Sequence, residues 1–272
     1  MTAREENLVR RALSRIGLVS TPKEVDREDE SILPTAPEPQ PAPFYHVSPT
    51  CQVPNLGFLY GLIFGERHDG TFVEIGAYDG ISYSNTSCLA EAGWTGVYVE
   101  PVPEYADRCR ENNRDRPAIK VVNQAIGSQQ GVLSLHVGEY LTTPSDAQLL
   151  EYQGKDWGRG LFDSAVTITV EMTTLNALLD STGMPVGFDL LVVDVEGFEV
   201  DVFEGFDLEK WKPNAMIVEL KDAAPESSIH RASHQLLGRS IVARGYEVIY
   251  KDGINTFFAR SDAAREPLSD GN

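Results

Sequence analysis

Short apolar runs alternate with helical stretches through most of this chain, and this alternation constrains the fold more than any other feature. The runs VYVE, DLLVVD and NAMIVEL are almost continuously apolar, which is typical of strands buried on both faces of a parallel sheet. Strands that alternate with helices predict an α/β domain with a doubly wound, mostly parallel sheet. The predicted strands are 71–76, 96–100, 118–122, 189–194, 214–220, 245–250 and 255–260.

The last two predicted strands, in YEVIYKDG and NTFFAR, are separated by a turn at Asp252-Gly253. Such a turn predicts an antiparallel hairpin, which would close the C-terminal edge of the sheet. The helices that accompany the seven predicted strands are expected at 53–67, 84–92, 103–113, 174–182, 199–211 and 229–244.

The alternation breaks down between residues 131 and 171. There GVLSLHV and VTITVEM resemble exposed or edge strands, and the residues between them predict one long loop, a type of segment that is often functional. Aromatic side chains in this loop would either stack on a substrate ring or anchor the loop. They are Tyr140, Tyr152, Trp157 and Phe162.

The two ends of the chain differ in composition from its centre. Residues 1–18 can form a short amphipathic helix, and residues 19–50 are rich in proline and acidic side chains, as linkers are. We therefore expect one folded domain over 51–263, followed by a disordered tail over 264–272.

Charge and cysteine content exclude several classes of protein. A net charge of −18 over 272 residues disfavours binding to nucleic acid, because the phosphate backbone is also negative. Apolar runs of about 18 residues, which a membrane span requires, are missing from the sequence. Its three cysteines are widely spaced, and its first residues lack the apolar core of a secretory signal, so we expect a cytoplasmic protein.

Polar or flexible residues follow four of the predicted strands. Because ligands of doubly wound sheets bind at the carboxyl ends of the strands, these residues predict a single binding site. The four segments are Gly76-Ala77-Tyr78-Asp79-Gly80, Glu100-Pro101, Asn123-Gln124-Ala125 and Asp194-Val195-Glu196-Gly197.

The first two segments indicate the type of cofactor. Glu100 follows Gly80 by 20 residues, a spacing that suits a carboxylate bound to the ribose hydroxyls of an adenosine cofactor. The segment GAYDG lacks the middle glycine of the dinucleotide motif, and Asp79 would repel a pyrophosphate. A carboxylate there suits S-adenosylmethionine, which carries a sulfonium and an ammonium group, and it disfavours a nicotinamide-dependent oxidoreductase.

The order of these motifs resembles that of the FkbM-type methyltransferases, over about residues 71–260. The segments that carry the resemblance are VEIGAYDGISYSNT, GWTGVYVEPVPEYADRCRENNR, NQAIGSQQGVLSLHV, TLNALLD, FDLLVVDVEGFEVDVFEGFD and the strand ending in IVEL. The resemblance implies a class I, S-adenosylmethionine-dependent enzyme with a seven-stranded, Rossmann-like sheet. Many such enzymes methylate hydroxyl groups of sugars and of polyketide-derived natural products.

The resemblance also implies a set of cofactor-binding residues. It places Glu74, Gly76, Ala77 and Gly80 at the methionine and ribose, Glu100 at the ribose, and Asp194 under the transferred methyl group. Ser84 and Asn85 would meet the methionine carboxylate, and the adenine would lie beside the segment after the third strand. The complete set is Glu74, Gly76, Ala77, Asp79, Gly80, Ser84, Asn85, Glu100, Pro101, Asn123, Gln124, Ala125 and Asp194. Residues 138–165 match the family only loosely.

A sugar hydroxyl is a weak nucleophile, so we expect a base or a metal ion beside it. Asp194, Glu219 and His230 are the candidate catalytic residues, with Glu196, Asp222 and His234 as neighbours that also carry suitable groups. An alternative role for three of these carboxylates is a Mg²⁺ site formed by Asp194, Glu219 and Asp222.

We therefore expect an O-methyltransferase that acts on a sugar, a glycan or a glycosylated natural product. The competing hypothesis is a non-catalytic scaffold with the same fold, which would bind a partner through the N-terminal helix. The sequence leaves the identity of the acceptor open, and the N-terminal helix makes a homodimer worth testing.

Overall fold

The computed structural model describes residues 43–139, 141–156, 160–162, 165–223 and 228–262. The predicted N-terminal helix, most of the predicted linker, the C-terminal tail and the side chains of Tyr140 and Trp157 lie outside the described residues. Residues 43–50, which we assigned to the linker, are described, and Tyr45 is fully buried there. Its ring contacts those of Tyr60 and Trp94, so the folded body begins before residue 51.

Helices and strands alternate along the described residues. In chain order they are α1 (Leu56–Phe64), β1 (Thr71–Ile75), α2 (Ser87–Glu91), β2 (Thr95–Val99), α3 (Pro103–Asn112), β3 (Ile119–Val122), β4 (Ala125–Ile126), β5 (Gly131–Val137), β6 (Thr142–Thr143), α4 (Asp146–Gln153), β7 (Val166–Thr173), α5 (Leu175–Thr182), β8 (Leu190–Val193), α6 (Glu199–Glu204), α7 (Leu208–Trp211), β9 (Ala215–Glu219), a 3₁₀ turn (Lys221–Ala223), α8 (Arg231–Ala243), β10 (Tyr246–Lys251) and β11 (Asn255–Arg260).

The main sheet has seven strands in the order β10-β11-β9-β8-β1-β2-β3. The five strands from β9 to β3 are parallel, whereas β11 is antiparallel to both β9 and β10. The predicted doubly wound sheet and its antiparallel edge hairpin are therefore confirmed. In the register, Ile75 lies opposite both Val99 and Val193, so the residues that follow β1, β2 and β8 emerge side by side.

Both faces of this sheet are covered, which explains the continuous apolar runs of its strands. Side chains that alternate along β1 point to opposite faces, and Phe72 and Val73 belong to two different apolar clusters. Leu179 of α5 and Ile241 of α8 pack in the cluster of Val73, and Trp94 packs in that of Phe72. Within the described residues, no helix is both long and apolar enough to cross a membrane.

A second sheet, in the order β4-β7-β5-β6, covers the end of the first one. The predicted strands in GVLSLHV and VTITVEM form its antiparallel β5–β7 pair, which extends over seven residue pairs. The single long loop that we predicted between them is wrong, because this segment contains β6 and α4. Ser145 begins α4, and its hydroxyl accepts a hydrogen bond from the backbone N–H of Gln148 (3.1 Å).

One predicted helix is divided in two. Residues 199–211 form α6 and α7, with Gly205 between them. A Cβ atom at Gly205 would lie 2.2 Å from the carbonyl oxygen of Gly127, so the chain approaches its neighbour too closely there for any larger residue.

Candidate active site

Glu100 joins the ends of β1 and β2. Its two carboxylate oxygens accept hydrogen bonds from the backbone N–H groups of Tyr78 (2.9 Å) and Val102 (2.8 Å). The side chain is buried, and burial raises the pKa of Glu100 to about 7. Its carboxylate therefore shapes the turn after β1 and still faces the cavity described below.

Glu74, within β1, organises the segment that leads to α2. One oxygen accepts hydrogen bonds from the hydroxyls of Ser84 (2.8 Å) and Thr86 (2.6 Å), and the other accepts one from the backbone N–H of Asn85 (2.9 Å). Burial raises the pKa of Glu74. Ser84 lines the cavity, whereas Asn85 turns its side-chain oxygen toward the thiol of Cys51 (3.3 Å).

Gly76 allows the ends of β1 and β8 to approach each other. Its φ angle is 87°, and a Cβ atom would lie 1.8 Å from the carbonyl oxygen of Asp194. A side chain at this position would therefore push apart the two strand ends that carry the site.

Asp79 and Gly80 have a different role from the one we predicted. Oδ1 of Asp79 accepts hydrogen bonds from the backbone N–H groups of Ile81 (2.9 Å) and Ser82 (2.7 Å), so this carboxylate holds the turn together. Gly80 packs against Cys109. Neither residue lies among those that line the cavity, so Asp79 is not the acid that would face a cationic ligand.

A cavity opens at the carboxyl ends of β1, β2 and β8 and encloses about 1030 Å³ including its open mouth. Its apolar wall comes from α3, β4, β5, the loop before β6 and the loop before α6. The members of this wall are Tyr105, Ile126, Leu133, Leu135, Leu141 and Phe198.

The formally charged side chains of the described cavity wall are all carboxylates. Carboxylates line it at Glu74, Glu100, Asp194 and Glu196, and the described lining residues include no lysine, arginine or histidine. The wall therefore favours a ligand with a positive centre.

Strained backbone occurs at the same place. Tyr78 (φ 49°), Tyr83 (φ 60°) and Glu196 (φ 52°) have left-handed conformations, and all three line the cavity. Such conformations cost on the order of 1–3 kcal/mol each for residues other than glycine, and they are concentrated at functional sites.

Asp194, Glu196 and Glu219 bring three carboxylates together beyond the ends of β8 and β9. One oxygen of each lies within 4.8 Å of the others, and we call these residues the acidic cluster. Burial and then the charge of Glu196 raise the pKa values of both Asp194 and Glu219 well above their usual range. Asp194 and Glu196 face the cavity, whereas Glu219 lies behind them.

Lys221 and Tyr152 bind this acidic cluster. The Lys221 ammonium lies 3.4 Å from a carboxylate oxygen of Glu196 and 3.4 Å from one of Glu219. The Tyr152 hydroxyl donates a hydrogen bond to Glu196 and accepts one from Lys221 (2.9 Å). Burial lowers the pKa of Lys221, but the charges of Glu219 and Glu196 outweigh it and raise that pKa above its usual range.

The structure does not bring Asp222, the third member of the predicted Mg²⁺ site, into the acidic cluster. Asp222 lies in the 3₁₀ turn after β9, and its carboxylate binds the ammonium group of Lys251 at 2.5 Å. The turn directs the Asp222 side chain toward β10. The third carboxylate of the acidic cluster, beside those of Asp194 and Glu219, is that of Glu196.

The two histidines lie behind the cavity and do not line it. His230 stacks on His234 with 5.3 Å between the ring centroids, and burial followed by the charge of His234 lowers the pKa of His230. His234 is fully buried, and its Nδ1 accepts a hydrogen bond from the backbone N–H of Lys221 (2.9 Å). Its Nε2 lies 3.1 Å from a carboxylate oxygen of Glu199, so His234 connects the backbone of Lys221 to Glu199.

Pro101, Gln124 and Ala125 line the cavity on the side of β2 and β4. Asn123 does not, because its amide donates hydrogen bonds to the carbonyl oxygens of Glu100 (2.9 Å) and Pro101 (2.9 Å). Asn123 therefore fixes the chain after β2 rather than offering its amide to a ligand.

Sequence reasoning missed Lys221 and assigned Tyr152 only an aromatic contact. The signal for Lys221 was its position two residues after Glu219 at the end of a buried strand, where a cation can return to the strand-end carboxylates. No local signal pairs Tyr152 with Glu196, which is 44 residues away in the sequence.

Comparisons with known proteins agree with this architecture. The family described as methyltransferase FkbM domain matches residues 74–248, which is more than half of the chain. No curated protein sequence matches the chain.

Solved structures with a similar fold include two O-methyltransferases. One is TomG from Streptomyces achromogenes in complex with SAM (13% identity, 75% of each chain covered, TM-score 0.40). The other, from Bacillus cereus, is in complex with SAH (14% identity, 69% of this chain and 71% of that chain covered, TM-score 0.35). These likenesses are too distant to bear on the acceptor or on individual residues. On the family match and its motifs, the chain belongs to the FkbM methyltransferase family.

Proposed function

We propose that this chain is an S-adenosylmethionine-dependent O-methyltransferase that acts on a hydroxyl group of a sugar, a glycan or a glycosylated natural product. The observation that carries the proposal is the cavity wall, which has four carboxylates and, among its described residues, no basic side chain. S-adenosylmethionine presents a sulfonium and an ammonium group to such a wall, and its methyl group is activated for transfer. A dinucleotide, with its negative pyrophosphate, fits this wall poorly.

The residues around the cavity suit the parts of this cofactor. One Glu100 oxygen lies at the turn after β1 and the other at the turn after β2, an arrangement that suits the ribose hydroxyls. Glu74 and Ser84 lie where they suit the methionine end, beside the bare backbone of Gly76. The apolar wall near Pro101, which includes Leu133 and Leu135, suits the adenine ring.

Asp194 is the proposed base. Tyr152 and Lys221 already bind Glu196, whereas the Asp194 carboxylate has no hydrogen-bond donor among the described residues and faces the cavity. Burial and neighbouring charge raise the pKa of Asp194, so its carboxylate is a better proton acceptor than an exposed aspartate. It takes the proton of the acceptor hydroxyl while the cavity wall holds the oxygen in line with the methyl group.

The mouth of the cavity supports a ring-shaped polar acceptor. Tyr83 lines the cavity and is 43% exposed, and the polar residues Gln52 and Thr142 line the same cavity. An aromatic face next to hydrogen-bonding groups suits a sugar ring.

Calorimetry with S-adenosylhomocysteine tests the cofactor assignment, and a screen of nucleotide sugars and glycans with methyl-labelled cofactor tests the acceptor. We expect one binding site per chain, loss of binding in Glu100→Ala, and normal binding in Asp222→Asn, whose carboxylate lies outside the cavity. Absence of binding at high micromolar ligand would favour the non-catalytic scaffold instead.

A further inference from the structure

The acidic cluster resembles a cation site whose cation is part of the chain. Its three carboxylates have oxygens within 4.8 Å of one another, a spacing that suits hard cations such as Mg²⁺ or Mn²⁺. Lys221 extends into this cluster, and its ammonium lies 3.4 Å from both Glu196 and Glu219. Its side chain is only 15% exposed, so water screens these contacts weakly.

A cation at this place offsets the repulsion among the three carboxylates. Buried carboxylates repel one another, and an unpaired buried charge costs several kcal/mol. Within the described part of the chain, Lys221 is the cation that forms ion pairs with the cluster. The second carboxylate oxygen of Glu219 is buried and has no hydrogen-bond partner among the residues that the structure describes. The acidic cluster therefore has fewer hydrogen-bond donors around it than carboxylate oxygens to accept from them.

The backbone of Lys221 is held firmly. Its N–H donates to Nδ1 of His234 (2.9 Å), a residue that is fully buried and lies against Glu199. The preceding residue, Leu220, donates its N–H to the carbonyl oxygen of Ile254 (2.8 Å). The Lys221 side chain therefore extends to the acidic cluster from a backbone position that two hydrogen bonds hold in place.

The geometry points to Lys221 as the resident cation of the acidic cluster, in the position that a divalent metal ion would otherwise occupy. Lys221 is a positioning residue, because it holds Glu196 and Glu219 and leaves the Asp194 carboxylate directed at the cavity. On the proposed function, on which this part rests, methyl transfer by this chain needs no divalent metal.

Binding of Mn²⁺, measured by titration calorimetry and electron paramagnetic resonance in 150 mM NaCl, tests this assignment without any turnover. Lys221→Ala removes the ammonium and leaves room beside three carboxylates. We expect this variant to gain one Mn²⁺ site that is at least tenfold tighter than any site of the wild type. Lys251→Ala is the matched control, because it removes a lysine paired with Asp222 outside the cluster and should gain no such site.

Further variants separate this result from misfolding. Lys221→Arg keeps the charge and should gain no site, and the double variant Lys221→Ala with Glu219→Gln should lose the gained one. Circular dichroism and thermal melting of each variant report whether the fold is intact, independently of any ligand.

Two results would overturn the assignment. One is a folded Lys221→Ala variant that gains no Mn²⁺ site. The other is a wild-type protein that binds Mn²⁺ in a manner abolished by Glu219→Gln, or that loses turnover in EDTA. Failure of the wild type to bind S-adenosylhomocysteine would instead refute the proposed function and leave the Mn²⁺ result to stand.

Discussion

At the scale of single residues, the carboxylates around the cavity differ in what their oxygens already bind. Those of Glu74 and Glu100 accept hydrogen bonds from the turns that follow β1 and β2, and Glu196 is bound by Tyr152 and Lys221. Asp194 alone of these four has no such donor among the described residues, although it faces the cavity. The bound carboxylates hold the site in shape, and the remaining one is available for proton transfer.

Replacing Asp194 by asparagine keeps the size of the side chain but removes the proton acceptor. We expect the kcat to fall about 10²- to 10⁴-fold, the usual contribution of a general base, while the Kd for S-adenosylhomocysteine changes less than about tenfold. Steady-state kinetics and calorimetry measure the two quantities. Asp222→Asn is the control with normal turnover, and an Asp194→Asn enzyme of normal kcat would refute the assignment of the base.

Cofactor affinity should depend on pH through Glu100. Burial raises the pKa of this residue to about 7, and only its ionised form accepts hydrogen bonds from both ribose hydroxyls. Ligand binding favours the ionised form, so affinity should rise with pH by up to about tenfold per unit below pH 7 and level off above it. Calorimetry from about pH 5.5 to 8.5 measures this slope, which Glu100→Gln should flatten. An equal slope in that variant would assign the proton to another group.

At the scale of elements, the site depends on how closely β1 and β8 approach. Gly76 and Asp194 follow these two strands, and their backbones touch where the cavity begins. Strand β2 adds Glu100 at the same level because Val99 lies opposite Ile75. Strands β4, β5 and β6 of the second sheet contribute residues to the cavity wall, and α4 brings Tyr152 to Glu196.

Two glycine variants separate backbone strain from steric overlap. Gly183 at the end of α5 has a φ of 73° with open space around it, so Gly183→Ala should lower the free energy of unfolding by only about 1–2 kcal/mol. Gly76→Ala adds an overlap with the Asp194 carbonyl to a similar φ, so it should cost more and should also weaken S-adenosylhomocysteine binding. Denaturant unfolding compares the two, and equal losses would show that β1 and β8 can move apart freely.

At the scale of the whole molecule, the net charge of −18 opposes folding through repulsion between carboxylates. Surface ion pairs each contribute little, so screening of this repulsion should dominate the response to salt.

Added salt should stabilise this chain. Screening becomes effective over about 10 Å at 0.1 M ionic strength, so we expect the Tm to rise by a few degrees between 10 and 200 mM NaCl. Differential scanning fluorimetry measures the change. Choline chloride at equal ionic strength should give the same rise, because screening does not depend on the identity of the ion. A Tm that falls with salt would show that attractive ion pairs outweigh the repulsion.

Local pattern determined most of the fold. The apolar runs that predicted buried strands need only neighbouring residues to be recognised, and the turn at Asp252-Gly253 was likewise enough to predict the edge hairpin. Because parallel strands end at one edge of a sheet, the same pattern also brought Glu74, Glu100 and Asp194 to a common place.

Contacts between distant segments decided the rest. Glu196 rather than Asp222 joined the acidic cluster because the 3₁₀ turn after β9 redirects the chain, and Tyr152 reached Glu196 only because α4, which follows β6 of the second sheet, brings it there. Periodicity and spacing are properties of neighbouring residues. Which charges meet across 44 residues depends on strand register and on the packing of one sheet against the other, and these form only when the whole chain has folded.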